Sequence, residues 1–208
     1  MSHKVYLYPI WIRLWHWTNA LLCLALIVTG ISMQYASPDV PLVRFDISVS
    51  LHNICGVILT ISYVFFILGN LLTKNGRHYL IEMTGIAKRL FMQGRYYAIG
   101  VFLKEEPPFP IGSKRKFNPL QQVTYSVIMY LAVPVVIVTG WAMLFPEVII
   151  EEYLGINGFK ATDVLHVASA TLILIFLMIH LYFATMGKKV TDHYKAMITG
   201  YHEDETED

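Results

Sequence analysis

The chain has 208 residues, 55% of them hydrophobic and 15% charged, and Lys plus Arg exceed Asp plus Glu by one. So little charge at a mean hydropathy of +0.50 excludes an ordinary soluble domain and points to a polytopic membrane protein. Basic residues spread between apolar runs exclude a nucleic-acid interface. Cys23 and Cys55, both inside apolar runs and with no C-x-x-C-H, leave no disulfide framework and no covalent c-type haem.

The first predicted span runs over residues 11–33. It begins IRLWHWTNALL, with Trp11, Trp15 and Trp17 expected at the interface and His16 about one turn inside. Its apolar part is too long for a signal peptide and no small-x-small cleavage site follows, so it reads as a retained helix. A short segment with Pro38, Asp39, Pro41, Arg44 and Asp46 leads to the second span, 48–72, which carries His52 early. Residues 74–118 form a long polar connection. Within it Leu80, Met83, Ala87, Leu90 and Phe91 recur at helical spacing opposite Glu82, Lys88 and Arg89, as in a short interfacial helix over 79–91. Pro107, Pro108 and Pro110 then end regular structure. The third span, 123–145, contains Pro134, which should bend it, and no histidine. After a short acidic connection, the fourth span covers 164–186, with His166 near its start and His180 near its end. Residues 196–208, ending HEDETED, read as a disordered acidic tail.

Charge sets the expected orientation. The 74–118 connection carries nine Lys and Arg, and the C-terminal flank adds Lys188, Lys189 and Lys195, whereas the two opposite connections hold only Arg44 and Lys160. Both termini are therefore expected on the cytoplasmic side. Entering from that side, His16 is shallow at the inner face, His52 and His166 at the outer face, and His180 at the inner face again. His166 and His180 are fourteen residues apart. That spacing is nearly four whole turns, so their imidazoles share a face with a separation of roughly 21 Å along the axis.

Four intramembrane histidines thus form two level pairs, His52 with His166 and His16 with His180. That is what two b-type haems need, each gripped by one imidazole from either side. The residue four after each histidine is small, Ala20, Gly56, Ala170 and Ala184, which leaves room for a porphyrin. Gly30 and Gly140, each following a Thr, mark further close approaches. His3, His78, His193 and His202 fall outside the spans and read as solvated or interfacial. Arg13 and Arg44 sit near the expected haem edges, where they either pair with propionates or snorkel. The fold class is all-α, a single domain built as a four-helix transmembrane bundle binding two b-type haems.

The chain resembles the di-haem cytochrome b subunits of membrane-bound NiFe hydrogenases, formate dehydrogenases and thiosulfate reductases, within the bacterial cytochrome b561-like superfamily. The resemblance covers residues 8 to 187. It rests on RLWHWTNALLCLALIVTG around His16, LHNICG at His52, KFNPLQQVTY before the third span, VTGW inside it, and the His166/His180 spacing. It implies an electron-transfer, quinone-reactive subunit of the bacterial cytoplasmic membrane rather than an enzyme by itself. Electrons would come from an iron–sulfur or multihaem subunit of a periplasmic-side oxidoreductase, pass through the outer and then the inner haem, and reach a quinone, menaquinone or ubiquinone, near the cytoplasmic face, or run backwards. The resemblance also implies Asn118 and Gln121 as quinone-binding residues beside His180, although the common motif has Gly where this chain has Leu120. Read without it, Asn118-Pro119 is a helix start with Asn as N-cap, and the two roles are compatible. Two alternatives remain at this point: a free-standing b561-type quinone oxidoreductase acting on a small molecule such as superoxide, and a membrane metal-ion transporter. The second wants carboxylates facing the bundle interior, and the spans contain almost none.

Overall fold

The computed structural model describes residues 4–35, 37, 42–112, 115–153, 155–187 and 190–203. A short strand β1 (Lys4–Tyr6) precedes the long helices α1 (Ile10–Tyr35) and α2 (Phe45–Leu72). A 3-10 turn (Lys74–Tyr79) and α3 (Ile86–Arg95), prolonged by a π-helical turn (Tyr96–Gly100), follow. Then come α4 (Pro119–Leu144), the two-residue strands β2 (Glu152–Tyr153) and β3 (Ile156–Asn157), α5 (Gly158–Ala184), α6 (Asp192–Thr199) and β4 (Tyr201–Glu203). Helices α1, α2, α4 and α5 are each long and apolar enough to cross a membrane. Most of their exposed large hydrophobic residues are Leu, Ile, Val, Phe and Met, while Thr29, Ser32, Ser48, Asn70, Ser126, Thr139 and Ser169 are buried. That inversion of the water-soluble pattern is what lipid demands, because polar groups must find partners inside the protein.

Several boundaries differ from expectation for local reasons. The third span starts at Pro119 rather than Val123, because Asn118 and Gln121 close a capping box that carries the helix through polar Gln121 and Gln122. The fourth starts at Gly158, where Asn157 Oδ1 accepts the Lys160 N–H at 3.0 Å. Pro134 is preceded by a π-helical turn, Ile128–Ala132; a proline cannot donate to the carbonyl four residues back, and the wider turn resets the ladder there. The interfacial helix does not cover 79–91. Gly85 takes a left-handed φ of 63°, so α3 begins after it and extends to Arg95. The tail is ordered further than composition suggests: α6 ends at Gly200 with φ 89°, and β4 pairs antiparallel with β1 from Lys4↔Glu203 to Tyr6↔Tyr201. Residues 204–208 lie outside the described residues.

The chain divides into two compact units, to both of which each of the four long helices contributes. In the unit formed by Leu14–Leu68 and Tyr130–Ile175, polar side chains tie helix to helix. Trp15 donates to the Ser62 carbonyl (3.1 Å) and stacks on Phe66, Asn19 donates to Ser62 Oγ (2.7 Å), and Trp141 donates to Thr60 Oγ1 (2.9 Å). Ser32 Oγ both donates to the Val43 carbonyl (2.9 Å) and accepts its N–H (3.0 Å). Trp15 therefore packs between helices instead of joining an interfacial belt.

The unit formed by Met1–Arg13, Gly69–Met129 and Phe176–Asp208 is richer in buried polar groups. Lys116, 4% exposed, donates to Asn75 Oδ1 at 2.6 Å, and Asn75 Nδ2 donates to Asn70 Oδ1 at 2.6 Å. The ammonium also lies over the Tyr8 and Phe117 rings, 5.0 and 5.6 Å from their centroids. Burial pushes Lys116 down to about 8 and Tyr8 up to about 12. His78 is half-buried: it packs edge-on to Phe117, and burial, with Lys116 and Arg77 nearby, pushes it down to about 4. His202 is buried and stacked on His193, and His3 lies outside the described residues. The Arg13 guanidinium donates to the Ile198 carbonyl near the end of α6. Arg44 forms an exposed pair with Asp46 (2.9 Å).

A depressed folded-state pKa at Lys116 means that above pH 8 the unfolded chain binds the extra proton, so stability rises with pH. Tyr8 opposes this only above its unfolded value near 10. The expected gain from about pH 8 to about pH 10 is on the order of 2 kcal/mol, read as a rising melting temperature in lipid nanodiscs. Lys116→Met should flatten the profile; an unchanged slope in that variant would assign the rise to other groups.

Candidate functional site

His52 on α2 and His166 on α5 face each other within one unit, ring centroids 6.3 Å apart and planes at 64°. Each ring is held from behind by a threonine on a third or fourth helix. Thr29 Oγ1 on α1 lies 2.9 Å from His52 Nδ1, and Thr139 Oγ1 on α4 lies 3.0 Å from His166 Nδ1. Both hydroxyls direct their own proton to the backbone carbonyl four residues earlier, Ala25 and Val135, at 2.7 Å in each case. A hydroxyl that donates there can only accept from the imidazole. Both histidines therefore carry the proton on Nδ1 and keep a lone pair on Nε2. The glycine after each threonine lets the ring approach: a Cβ on Gly30 would lie 3.5 Å from His52 Cε1, and one on Gly140 3.2 Å from His166 Cε1.

The other two intramembrane histidines sit in different surroundings. His180 on α5 belongs to the unit with the long connection; its ring stacks on Phe176 (5.6 Å) and the Tyr125 hydroxyl lies 3.4 Å from its Nδ1. His16 on α1 belongs to the unit holding His52 and His166, with its ring edge-on to Trp17 at 5.4 Å. Near His180 in chain terms, Tyr97 stacks face to face on Phe183, centroids 4.2 Å apart. Asn118 is buried, its Nδ2 donating to the Tyr97 hydroxyl at 2.8 Å and its Oδ1 accepting the Gln121 N–H at 2.9 Å. Gln121 Oε1 accepts the Asn118 N–H at 3.1 Å. Both residues are thus helix caps, whatever else they do.

Among the described residues no three His, Cys, Asp or Glu side chains converge as ligands. A bare transition-metal ion asks for about four protein ligands, whereas a porphyrin supplies four in its plane and leaves two opposite positions to the protein. With a nitrogen–metal bond of about 2 Å, two imidazoles on opposite sides of one iron have ring centres roughly 6 Å apart, and His52 and His166 stand at 6.3 Å. Rotation about the iron–nitrogen axis leaves ligation unchanged, so the 64° between planes is admissible. A Cβ added to Gly56, four residues after His52, would meet nothing within 4 Å, so the space beside that ring is open. The donor set and its spacing fit haem b. A family model described as prokaryotic cytochrome b561 matches residues 7–200.

The chain belongs to the prokaryotic cytochrome b561 family. It is 37% identical over 201 residues to the Escherichia coli (strain K12) protein named "Putative cytochrome YdhU", covering 97% of this chain and 76% of that one. It is 27% identical over 205 residues to the Rhodobacter capsulatus protein named "Probable Ni/Fe-hydrogenase B-type cytochrome subunit", covering 87% of this chain and 74% of that one. This is a membrane b-haem protein of the cytochrome b561 type, with electron transport as its business.

Thr29 and Thr139 are the residues that sequence reading left without a role. Their only signal was the repeated Thr-Gly pair, which membrane helices use commonly for packing. Removing an acceptor behind a metal-binding imidazole typically costs 10–100-fold in affinity. Thr29→Val and Thr139→Val are accordingly expected to weaken haem uptake by about tenfold or more, measured by spectral titration of haem into the apo-protein. The two glycines should differ. Gly140→Ala forces the His166 ring aside and lowers occupancy, while Gly30→Ala makes only ordinary contact and is tolerated. Equal responses would contradict the geometry.

Proposed function

We propose that this cytochrome is the di-haem membrane subunit of an oxidoreductase complex, exchanging single electrons between a partner on the periplasmic side of the bacterial cytoplasmic membrane and the quinone pool. The observation that carries the reading is the His52–His166 pair, with both Nε2 lone pairs made available by threonine acceptors on neighbouring helices. The second pair, His16 with His180, rests on equal depth in the sequence and on the fourteen-residue spacing along α5. Bound haem supplies reversible one-electron exchange at iron. The chain's own residues fix the imidazole tautomers, wall the rings with apolar helices that exclude water, and offer hydrogen-bonding groups at the start of α4. Asn118 and Gln121 are proposed to hold quinone there, menaquinone and ubiquinone being alike in the carbonyls they present.

The basic 74–118 connection supports cytoplasmic termini. α3 and the turn after it expose Phe91, Met92, Ile99, Phe102 and Leu103 while burying Gln93, which supports a position at the lipid surface. The hydrogenase name of the Rhodobacter capsulatus relative supports an oxidoreductase partner, which we propose carries iron–sulfur clusters or several haems. A metal-ion transporter is disfavoured, since among the described residues no third His, Cys or carboxylate joins any histidine pair.

The test is a set of single substitutions read in reduced-minus-oxidised difference spectra of purified protein. His52→Ala and His166→Ala should each lose one haem, and His16→Ala and His180→Ala the other, each halving the haem-to-protein ratio. A ratio unchanged in either pair would remove that pair from the assignment. Isolation from native membranes should bring an iron–sulfur or multihaem subunit with the cytochrome; a chain that always purifies alone would favour a free-standing oxidoreductase.

A further inference from the structure

The face of α3 that packs on the start of α4 carries a polar group that the proposed function does not use. Gln93 is 2% exposed, and among the described residues nothing donates to its Oε1. The backbone around it is fully helical, with the Tyr96 N–H bonded to the Gln93 carbonyl, so the side chain is not needed to satisfy its own turn. One turn further on, Tyr97 receives the Asn118 side-chain amide. Gln93 thus occupies the same side of this helical stretch as the residue that meets the cap of α4. The outward side carries Lys88, Phe91, Met92 and Arg95, all exposed, with Arg95 engaged by Glu105 at 2.8 Å. A helix that could have turned Phe91, 73% exposed, inward instead buries an amide oxygen without a donor. Such an arrangement is costly unless a donor arrives from elsewhere.

The capping box decides what the neighbouring groups can offer. Asn118 Oδ1 and Gln121 Oε1 already accept backbone N–H groups, and Asn118 Nδ2 already donates to Tyr97. Of these two side chains, only Gln121 Nε2 makes no hydrogen bond among the described residues. Gln121 Nε2 is thus a donor left over at the start of α4, and Gln93 Oε1 an acceptor left over on the helix packed against it. A quinone presents two carbonyl acceptors; a quinol presents hydroxyls that also donate.

We infer that Gln93 is a further ligand-binding residue of the quinone site, accepting a hydrogen bond from a quinol hydroxyl, so that the site holds the reduced ligand more tightly than the oxidised one. The inference rests on the reading of Asn118 and Gln121 as the quinone site. Its consequence is a raised potential for the bound couple, since a tenfold preference for the two-electron-reduced form corresponds to about 30 mV.

The experiment uses the full-length, haem-loaded protein in lipid nanodiscs, titrated calorimetrically under anaerobic conditions with a short-chain naphthoquinone and with the same compound reduced to its quinol. The parent protein is expected to bind the quinol about tenfold more tightly. Gln93→Leu should bring the two affinities within about twofold, through loss on the quinol side alone. Its haem spectrum should be unchanged and its ligand-free melting temperature no lower, because an unsatisfied acceptor has been removed. Gln93→Glu, which keeps an acceptor oxygen, should keep the preference and covers the case in which Leu disturbs packing. A parent without preference, or a Gln93→Leu variant that weakens both forms equally or neither, overturns the assignment. Gln121→Leu separates the two levels. If it weakens both forms while Gln93→Leu changes nothing, the quinone site stands and Gln93 leaves it; if it alters neither affinity, the quinone reading falls and Gln93 falls with it.

Discussion

The interaction on which the rest of this cytochrome depends is the hydrogen bond from an imidazole Nδ1–H to a threonine hydroxyl whose own proton is already committed to a backbone carbonyl. Thr29 and Thr139 do this on different helices for His52 and His166, with distances of 2.9 and 3.0 Å. A histidine in lipid-excluded surroundings has two tautomers of similar energy, and only one leaves Nε2 free to bind iron. By accepting from Nδ1, each threonine settles the tautomer and leaves Nε2 unprotonated, as the proposed ligation of iron requires. Four helices are recruited by two such contacts: α1 to α2, and α4 to α5. On the proposed haem ligation, helix packing and cofactor binding become one problem in this unit, because the threonines that hold the imidazoles also tie α1 to α2 and α4 to α5.

The buried polar residues of the chain follow the same logic. In lipid there is little hydrophobic drive between helices, so close packing and interhelical hydrogen bonds must specify the arrangement. Asn19 with Ser62, Trp15 with the Ser62 carbonyl and Trp141 with Thr60 supply it in one unit. Asn70, Asn75 and Lys116 supply it in the other, where a buried ammonium is tolerated because an amide oxygen and two aromatic faces replace water. Among the described residues no carboxylate pairs with Lys116, and its depressed pKa is the expected result of burial without a counter-charge.

How much of this could be read from the chain depends on the range of the interaction. Helical periodicity is local, so the four spans and the common face of His166 and His180 were legible, as was the equal depth of His52 and His166. The threonine contacts join residues 23 and 27 positions apart in different helices, and nothing in a Thr-Gly pair says which histidine it will meet. The interfacial helix was misplaced because spacing cannot see that Gly85 turns left-handed and interrupts it. Composition made the tail look disordered, yet Tyr201–Glu203 finds its partner at Lys4–Tyr6, almost the whole chain away. Asn118 was legible as the cap of α4, and the resemblance offers it a second role as a ligand group.

That double legibility has a physical resolution. A side chain has a fixed number of donors and acceptors, and a helix N-terminus claims some of them before any ligand does. At the start of α4 the first helical turn and Tyr97 engage Asn118 at four atoms: its N–H, its carbonyl, Oδ1 and Nδ2. On the proposed quinone reading, Asn118 would act on a ligand while also holding Tyr97 and Gln121 in place. Among the described contacts, the amide atoms that the cap leaves over are Gln121 Nε2 at the start of α4 and Gln93 Oε1 on α3. Pro119 sharpens the point, since a residue without an N–H at the first helical position leaves one fewer orphan donor for the cap to satisfy.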